Sequence, residues 1–280
     1  MTTPTPRTWL ITGTSTGLGR LITEQLLARG DRVAATLRKP EQLDELKAQY
    51  GKQLWIARLD ITDTDALPVT VERAFAELGR IDVIVSNAGY GLFGAAEELS
   101  PAQIRHQLDT NVIGSIELIR AVLPHLRTQG GGRILQVSSE GGQIAYPNFS
   151  LYHASKWAIE GFVESVAQEV APFDIGFTLI EPGPTYTNFA SGLVRATPMA
   201  VYDKTPAGDV RRALAAGNFG LFSDGAKVAQ AIIESVDVFP APKRRVYGSG
   251  AWRRIHDAYH ERLNALEEQE EVARSTDMEK

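Results

Sequence analysis

Short apolar runs alternate with helical patterns along most of the chain, and this alternation constrains the fold more than any other feature. The runs are nearly continuous in apolar character and rich in β-branched residues, which is typical of strands covered on both faces. Seven strands are predicted: Thr8–Gly13, Arg32–Leu37, Leu54–Asp60, Ile81–Asn87, Arg133–Ser139, Ile175–Gly183 and Arg244–Gly248. The sequence therefore predicts an α/β fold with a doubly wound parallel sheet of about seven strands and helices on both faces.

Two predicted helices carry clear end signals. One begins at Gly19 and ends at Gly30, because glycine favours the left-handed backbone that follows a helix. A longer one has Ser100 as its N-cap and Pro101 as its first residue, and its apolar residues keep helical spacing as far as Leu126. Since no linker or repeat interrupts the alternation, we expect residues 1–280 to form a single domain.

Two segments depart from the alternation. Residues 190–224 hold Gly, Pro and Asn between short apolar pieces, which predicts an insertion that forms a flexible lid with short helices, or else a pair of weakly signalled helices. Residues 251–280 begin as an amphipathic helix and become a charged tail that we expect to fray. The apolar stripe of that helix comprises Trp252, Ile255, Tyr259, Leu263 and Leu266.

Composition and charge exclude several classes of function. Without cysteine the chain has no disulfide, zinc–thiolate site or thiol nucleophile. The net charge of −5 and the absence of a strongly basic domain argue against a nucleic-acid partner. No signal peptide and no apolar run of membrane-spanning length is found, so we expect no membrane partner and a cytoplasmic location. His256 and His260 stand four residues apart without a third ligand, so no metal site is predicted.

The segment TGTSTGLG, Thr12–Gly19, follows the first strand directly and opens a helix. Gly13 allows the tight turn, Gly17 lets the backbone approach a pyrophosphate, and Gly19 lets the helix pack closely on the sheet. The start of the helix presents unpaired N–H groups and a partial positive charge to phosphates. In this context the glycine pattern predicts a dinucleotide site.

The end of the second strand favours NADP(H) over NAD(H). An acidic residue there would bind the ribose 2′-hydroxyl and repel a 2′-phosphate. The sequence instead has Arg38, whose guanidinium can pair with a 2′-phosphate, and Ser15 in the loop could add a hydroxyl donor. NAD(H) remains the alternative cofactor, because Arg38 could also be a solvated surface residue.

Several short segments occur in a defined order: TGTSTGLG, LD at Leu59–Asp60, SNAG at Ser86–Gly89, Asn111, VSS ending at Ser139, YHASK at Tyr152–Lys156 and EPGPTYT at Glu181–Thr187. As a set they resemble the single-domain branch of the short-chain dehydrogenase/reductase family, from about Arg7 to Phe189 and again near Val246. The segments VAATLRK, SNAGYGLFGAAEEL and PFDIGFTLIEPGPTYT look most like 17β-hydroxysteroid and retinol dehydrogenases. The resemblance implies a Rossmann-type fold and an oxidoreductase activity.

The resemblance also assigns roles by position. The catalytic residues would be Asn111, Ser139, Tyr152 and Lys156, with Ser139 chosen over Ser138 because the family serine lies thirteen residues before the tyrosine. The nucleotide contacts would be Gly13, Ser15, Gly17, Leu18 and Gly19 at the phosphates, Arg38 at the 2′-phosphate, Asp60 and Ile61 beside adenine, Asn87, Ala88 and Gly89 along the ribose, and Pro182, Gly183, Thr185 and Thr187 with Tyr152 and Lys156 at the nicotinamide end. Ser86 replaces a family asparagine, and Thr16 stands where many NADP-binding relatives have a basic residue.

Tyr152 and Lys156 lie one helical turn apart, on one face of a helix. A free phenol has a pKa of about 10 and is a poor acid–base group at neutral pH. We expect the Lys156 ammonium to lower the pKa of Tyr152. Ser139 would hold the substrate oxygen, and Asn111 would support a water relay to Lys156. His153 is expected to point to another helix face and take no part.

Together these features predict an NADP(H)-dependent oxidoreductase that interconverts a ketone or aldehyde and an alcohol on a hydrophobic small molecule. An apolar pocket is predicted from aromatic residues that follow strand ends: Tyr90, Phe93, Tyr146, Phe149, Tyr186 and Phe189. One alternative is a non-catalytic NAD(P)-sensing regulator, which would not need Tyr152. Another is a dehydratase or epimerase, although those relatives have a different glycine spacing and a larger substrate domain. The resemblance implies a homodimer or homotetramer, formed through the helix from Ser100 and the helix of Tyr152.

Overall fold

A parallel sheet of seven strands forms the centre of the computed structural model, which describes residues 6–217, 220 and 222–278. Its strands are β1 Thr8–Thr12, β2 Arg32–Leu37, β3 Leu54–Arg58, β4 Val83–Ser86, β5 Gly132–Val137, β6 Ile175–Pro182 and β7 Arg244–Tyr247. Their spatial order is β7-β6-β5-β4-β1-β2-β3, with every neighbouring pair parallel. The predicted doubly wound sheet is confirmed, with small differences at the strand ends.

Helices cover both faces of the sheet. They are α1 Gly17–Arg29, α2 Asp44–Tyr50, α3 Ala66–Leu78, α4 Pro101–Leu108, α5 Gly114–Thr128, α6 Ser150–Val170, α7 Pro206–Ala215, α8 Gly225–Glu234, α9 Ser249–Glu267 and α10 Glu270–Ser275. One core joins the sheet to α1, α2 and α8, and the other joins it to α3, α5 and α6. The fold is therefore three-layered, as two-sided strands require.

Strand β1 shows why the chain forms this layered structure. All five of its residues are buried. Trp9 and Ile11 pack in the core beneath α1 and α8, while Leu10 between them packs in the opposite core. Because successive side chains of a strand point to opposite faces, an unbroken apolar run fills both cores at once. The strand then delivers the glycine segment to the carboxyl edge of the sheet.

The long helix predicted from Ser100 is confirmed, and its backbone stays helical from α4 through to α5. The Ser100 hydroxyl accepts the N–H of Gln103 at 3.2 Å, and the Gln103 side chain accepts the N–H of Ser100 at 2.9 Å. Between α4 and α5, however, Asp109–Ile113 forms a π-helical turn. Such turns add a residue to the helical repeat and often mark functional sites. Apolar spacing alone did not indicate it.

The insertion predicted at residues 190–224 contains α7 and is tied to the rest of the chain at two places. Val194–Arg195 pairs with Leu92–Phe93, and Ser223–Asp224 pairs with Thr185–Tyr186. Both pairings lie on loops that follow strand ends. Asn218, Phe219 and Leu221, which belong to the predicted insertion, lie outside the described residues.

The C-terminal segment differs from its prediction. In α9 Ile255 is buried, but the other residues of the predicted apolar stripe are exposed. The segment crosses the edge of the protein, so only one turn of α9 faces the core. The tail expected to fray contains the exposed helix α10, in which Glu270 pairs with Arg274 one turn later at 2.6 Å, and its fraying stays a prediction. Over the described residues, no helix has both the length and the apolar character that crossing a membrane requires.

Candidate active site

The glycine segment makes a tight turn between β1 and α1. Gly13 and Gly17 have φ values of +71° and +61°, in the left-handed region that favours glycine. A Cβ on Gly19 would lie 2.4 Å from the Gly13 carbonyl oxygen, so no larger residue fits there. Thr16 at the helix start makes no side-chain cap, and the first turn has no acidic residue. The start of α1 is thus open to an anion, as predicted.

This turn borders a cavity of about 510 Å³ at the carboxyl edge of the sheet. All of the predicted nucleotide contacts except Gly19 line this cavity. Gly19 lies behind the turn, where its missing side chain lets the helix pack against Gly13 and Asn87, as its predicted role requires. The glycine cradle and the size of the cavity fit a dinucleotide.

The ends of β1 and β4 are held together beneath the cavity. The Asn87 side chain donates to the carbonyl oxygens of Thr12 at 2.8 Å and Gly13 at 3.1 Å. The Thr12 hydroxyl in turn accepts the N–H groups of Asn87 and Ala88, each at 3.0 Å. These bonds fix the turn, so Asn87 has a structural part in the predicted site.

Arg38 and Asp60 stand at the other end of the cavity, after β2 and β3. Arg38 is exposed, so its guanidinium is accessible to a ligand. The Asp60 carboxylate accepts the N–H of Thr62 at 3.0 Å and its hydroxyl at 2.8 Å. Partial burial raises the pKa of Asp60, but these bonds and the charge of Arg38 outweigh it and lower the pKa overall. Asp60 is therefore held as a carboxylate.

Ser139, Tyr152 and Lys156 meet in the middle of the cavity wall. Tyr152 and Lys156 are buried on α6, and Ser139 follows β5. The Lys156 Nζ atom lies 5.7 Å from the centre of the Tyr152 ring and donates to the Val137 carbonyl oxygen at 3.0 Å. The structure thus brings three of the four predicted catalytic residues together.

The expected lowering of the pKa of Tyr152 by Lys156 is not what the structure shows. Burial raises the pKa of Tyr152 to about 12; a hydrogen bond with Ser139 lowers it, and the carboxylates of Glu140 and Glu160 raise it. Burial also lowers the pKa of Lys156 to about 8, against the attraction of Glu160. Desolvation disfavours both charged forms and is the largest cause of each shift.

Asn111 does not line the cavity. It is buried in the π-helical turn, where its side-chain oxygen accepts the N–H of Tyr90 at 3.1 Å. Its side-chain nitrogen donates to the Tyr90 carbonyl at 3.0 Å and to the Ser155 hydroxyl at 3.1 Å. The side chain therefore joins the loop after β4 to α6. Its predicted relay to Lys156 stays a prediction.

The predicted aromatic pocket is present in part. Tyr90, Tyr146, Phe149 and Phe189 line the cavity. Phe93 instead packs behind it, with its ring centre 5.0 Å from that of Phe149. Tyr186 is 84% exposed and lies outside the cavity wall.

His153 is buried against Tyr146, and their ring centres are 4.5 Å apart. Burial lowers the pKa of His153 to about 4. It is therefore a neutral packing residue. His256 and His260 have their Nε2 atoms 3.2 Å apart on the exposed face of α9. Within the described chain, no group of three or more metal-ligating side chains is found.

Some residues of the cavity wall were missed by the sequence analysis. Leu193, Val194, Leu214 and Phe222 come from the insertion and carry no sequence signal of their own. Glu140 also lines the cavity and is 2% exposed. The sequence did offer a signal for Glu140, because it directly follows Ser139. The turn that brings a predicted catalytic serine to the cavity also brings its neighbour there.

Comparisons with known proteins agree with this geometry. A family model described as short chain dehydrogenase matches residues 7–197. The chain is 37% identical over 244 residues to oxidoreductase BOA17 of Botryotinia fuckeliana (strain B05.10), covering 87% of this chain and 89% of that protein. It is 36% identical over 207 residues to retinol dehydrogenase 8 of Homo sapiens, covering 71% of this chain and 66% of that protein. A short-chain dehydrogenase structure from Streptomyces avermitilis matches with a TM-score of 0.91 and 36% identity, covering 99% of this chain and 100% of that one.

Proposed function

The chain belongs to the short-chain dehydrogenase/reductase family of oxidoreductases, and from this premise we propose that it is an NADP(H)-dependent enzyme that interconverts a carbonyl group and an alcohol on a hydrophobic small molecule. The observation that carries the proposal is the composition of one cavity wall. That wall joins the glycine turn, the Ser139–Tyr152–Lys156 group and a set of aromatic side chains.

The glycine turn and Arg38 support the choice of nucleotide. Gly13 and Gly17 would carry the pyrophosphate at the open start of α1. The guanidinium of Arg38, exposed at the end of β2, would pair with a 2′-phosphate. Pro182, Gly183 and Thr185 would hold the nicotinamide end. When bound, the nucleotide supplies or accepts the hydride; NAD(H) is the alternative cofactor.

Tyr152 would exchange a proton with the substrate oxygen. Burial raises the pKa of Tyr152, so the phenol holds its proton at neutral pH; the hydrogen bond with Ser139, which lowers that pKa, and the Lys156 ammonium would favour donation of the proton to a carbonyl oxygen. Ser139 would hold that oxygen through its hydroxyl. Lys156 is anchored on Val137 and would stabilise the phenolate that proton donation leaves behind. All three residues, Ser139, Tyr152 and Lys156, line the same cavity.

The character of the cavity supports an apolar substrate. Two phenylalanines line the cavity: Phe149, which precedes Tyr152 in the sequence, and Phe189, which follows it. Leu193 and Leu214, from the insertion, add aliphatic surface. We assign residues 190–224 the role of a substrate lid on this basis. The similar human protein is named a retinol dehydrogenase, which fits an alcohol on an apolar skeleton.

Assembly is part of the same proposal. The exposed side chains of Trp157 on α6 and Ile113 before α5 fit a contact between copies, so a homodimer or homotetramer is expected. Light scattering of the purified chain would measure its mass in solution.

The proposal is tested with a panel of aliphatic, aromatic and steroid-like carbonyl compounds, assayed with NADPH and with NADH. We expect wild-type turnover of at least one apolar compound, with NADPH preferred, and loss of that turnover in Tyr152→Phe. Tyr146→Phe is the matched control, since it removes a different phenol from the same cavity wall. Equal turnover in wild type and Tyr152→Phe would contradict the mechanism. Nucleotide binding with no turnover of any carbonyl or alcohol would favour the regulator instead.

A further inference from the structure

Glu140 is a buried carboxylate in the turn that follows Ser139. It is 2% exposed and lines the cavity beside Gly183, where an added Cβ would lie 3.4 Å from the Glu140 Oε2 atom. Burying a charge is unfavourable unless a partner compensates it. The mechanism above makes no use of this group, so its retention in the wall of the site needs an explanation.

Its partner comes from the far end of the chain. Arg254, on α9, donates to the Glu140 Oε2 atom from Nη2 at 2.7 Å and from Nε at 3.2 Å. The two residues are 114 positions apart in sequence. The pair therefore fastens α9 to the turn that carries Ser139. Both bonds go to one carboxylate oxygen, so they fix the position of the Oε2 atom beside the guanidinium.

The turn itself has little freedom. Gly141 donates its N–H to the Ser139 hydroxyl at 3.1 Å, so this hydroxyl takes its direction from the turn. A Cβ on Gly141 would lie 2.6 Å from the His153 ring, which shows how closely the turn packs on α6. A shift of Glu140 would thus move the Ser139 hydroxyl relative to Tyr152.

Tyr152 is surrounded by charged and titratable groups from several elements. Glu140 approaches from the turn, Tyr146 from the loop before α6, and His153, Lys156 and Glu160 lie on α6 itself. Both carboxylates raise the pKa of Tyr152. Each is compensated by an arginine from the C-terminal part of the chain.

The second arginine is Arg244 on β7. Its guanidinium bonds to Glu160 at 2.6 Å and also contacts Glu181. Phe189, which directly precedes the lid, contributes its uncharged ring to the surroundings of Tyr152. The negative charges beside Tyr152 are therefore matched by arginines that enter from β7 and α9.

We propose that Glu140 and Arg254 form a positioning pair for the reaction, in which the ion pair orients the Ser139 turn and keeps a compensated negative charge beside Tyr152. The inference rests on the proposed function. Neither residue exchanges a proton with the substrate. Both act through Ser139 and Tyr152, so the C-terminal helix is part of the active site although it contributes no catalytic residue.

The test is the pH dependence of kcat/KM for oxidation of an alcohol with NADP⁺, where Tyr152 must lose its proton. E140Q removes the negative charge with little change of shape, so its acid limb should move to lower pH by about half to one unit. R254M removes the cation that lowers the pKa of Glu140, which burial raises; above that pKa the uncompensated carboxylate should move the limb to higher pH by a similar amount. The double variant E140Q/R254M loses both charges and should return toward the wild-type profile.

Arg253→Met is the matched control, because Arg253 is the exposed neighbour of Arg254 on α9. A purely structural role would lower the rate at every pH without moving the limb. Superposable profiles of E140Q and wild type would overturn the inference, as would a double variant no closer to wild type than R254M. If R254M does not fold, E140Q alone decides. A wild type without turnover would overturn the proposed function and the pair together, whereas an active wild type with unmoved variants would overturn the pair alone.

Discussion

The Nζ atom of Lys156 donates a hydrogen bond to the carbonyl oxygen of Val137 at 3.0 Å, so the helix that carries Tyr152 is joined to the last residue of β5. The bond satisfies one of the three donors of a buried ammonium. It also places that ammonium beneath the phenol ring. The arrangement gives Lys156 both a structural and a chemical part.

Replacement of Lys156 by Met should lower kcat by about 100-fold or more, because the phenolate loses its stabilising cation. The measurement is kcat for the best carbonyl substrate at saturating NADPH. Lys227→Met, on the exposed side of α8, is the control and should keep wild-type kcat. An unchanged kcat in Lys156→Met would contradict the assigned role.

Arg38→Asp should raise the KM for NADPH by about 10- to 100-fold, since it replaces a charge-assisted contact with a repulsive one. The KM for NADH should change little or fall. The measurement is the ratio of kcat/KM for the two nucleotides. Arg58→Asp is the control, because Arg58 ends the neighbouring strand β3, is also exposed and does not line the cavity. A wild type that prefers NADH would overturn the assignment of Arg38.

Gly19→Ala should destabilise the protein by about 1–3 kcal/mol, the usual effect of overpacking. The new Cβ would lie 2.4 Å from the Gly13 carbonyl and 2.5 Å from the Asn87 side chain. We expect a lower Tm and weaker NADPH binding, measured by calorimetry and by fluorescence.

Gly161→Ala is the opposite case and the matched control. Gly161 lies in α6, and a Cβ added there would have nothing within 4 Å. Alanine should therefore stabilise the helix by about 0.5–1 kcal/mol and leave nucleotide binding unchanged. Equal Tm changes in the two variants would show that the contacts around Gly19 do not limit the turn.

Glu181 should make the protein less stable as the pH rises. Burial and the neighbouring carboxylates of Glu160 and Glu164 raise its pKa from 4.5 to about 7, although Arg244 lowers it. Between these two values the folded protein binds more protons than the unfolded chain, so the free energy of unfolding falls with rising pH. The loss runs through the folded pKa of about 7 and is complete about one pH unit above it.

Glu181→Gln removes that titration. The Tm of the variant relative to wild type should therefore be higher at pH 8 than at pH 5, as measured by calorimetry at both values. Glu164→Gln, at the more exposed carboxylate on Arg244, is the control and should show a smaller difference between the two pH values. The opposite order, with Glu181→Gln relatively less stable at pH 8, would contradict the raised pKa.

The sheet and the glycine turn could be predicted because their signals are local. An apolar run such as that around Leu10 must fill two cores. A glycine segment between a strand and a helix is typical of a dinucleotide site. Helical spacing placed Tyr152 and Lys156 on one face, and the family resemblance assigned their roles together with that of Ser139. All three line one cavity, whose wall is built from loops at the carboxyl edge of the sheet.

Other features depended on contacts between distant segments. The π-helical turn at Asn111 is stabilised by Tyr90 and Ser155, neither of which is adjacent to it in sequence. The pKa of Tyr152 rises because its surroundings exclude water, which spacing cannot show. The stripe on α9 kept helical spacing, but whether a core lies opposite it is a property of the whole fold.

Two short strand pairings hold the ends of the insertion and separate its inner residues from the central sheet. Val194–Arg195 and Ser223–Asp224 each pair with a loop at the edge of the central sheet, so both ends of the segment between them are held in place. Within it, Val210 and Leu214 pack against the cluster of Phe93, Phe149 and Tyr152, so the segment can change most freely outside these two contacts. A chimera that exchanges only this segment with that of a homologue should acquire the substrate range of the donor, while Ser139, Tyr152 and Lys156 stay unchanged.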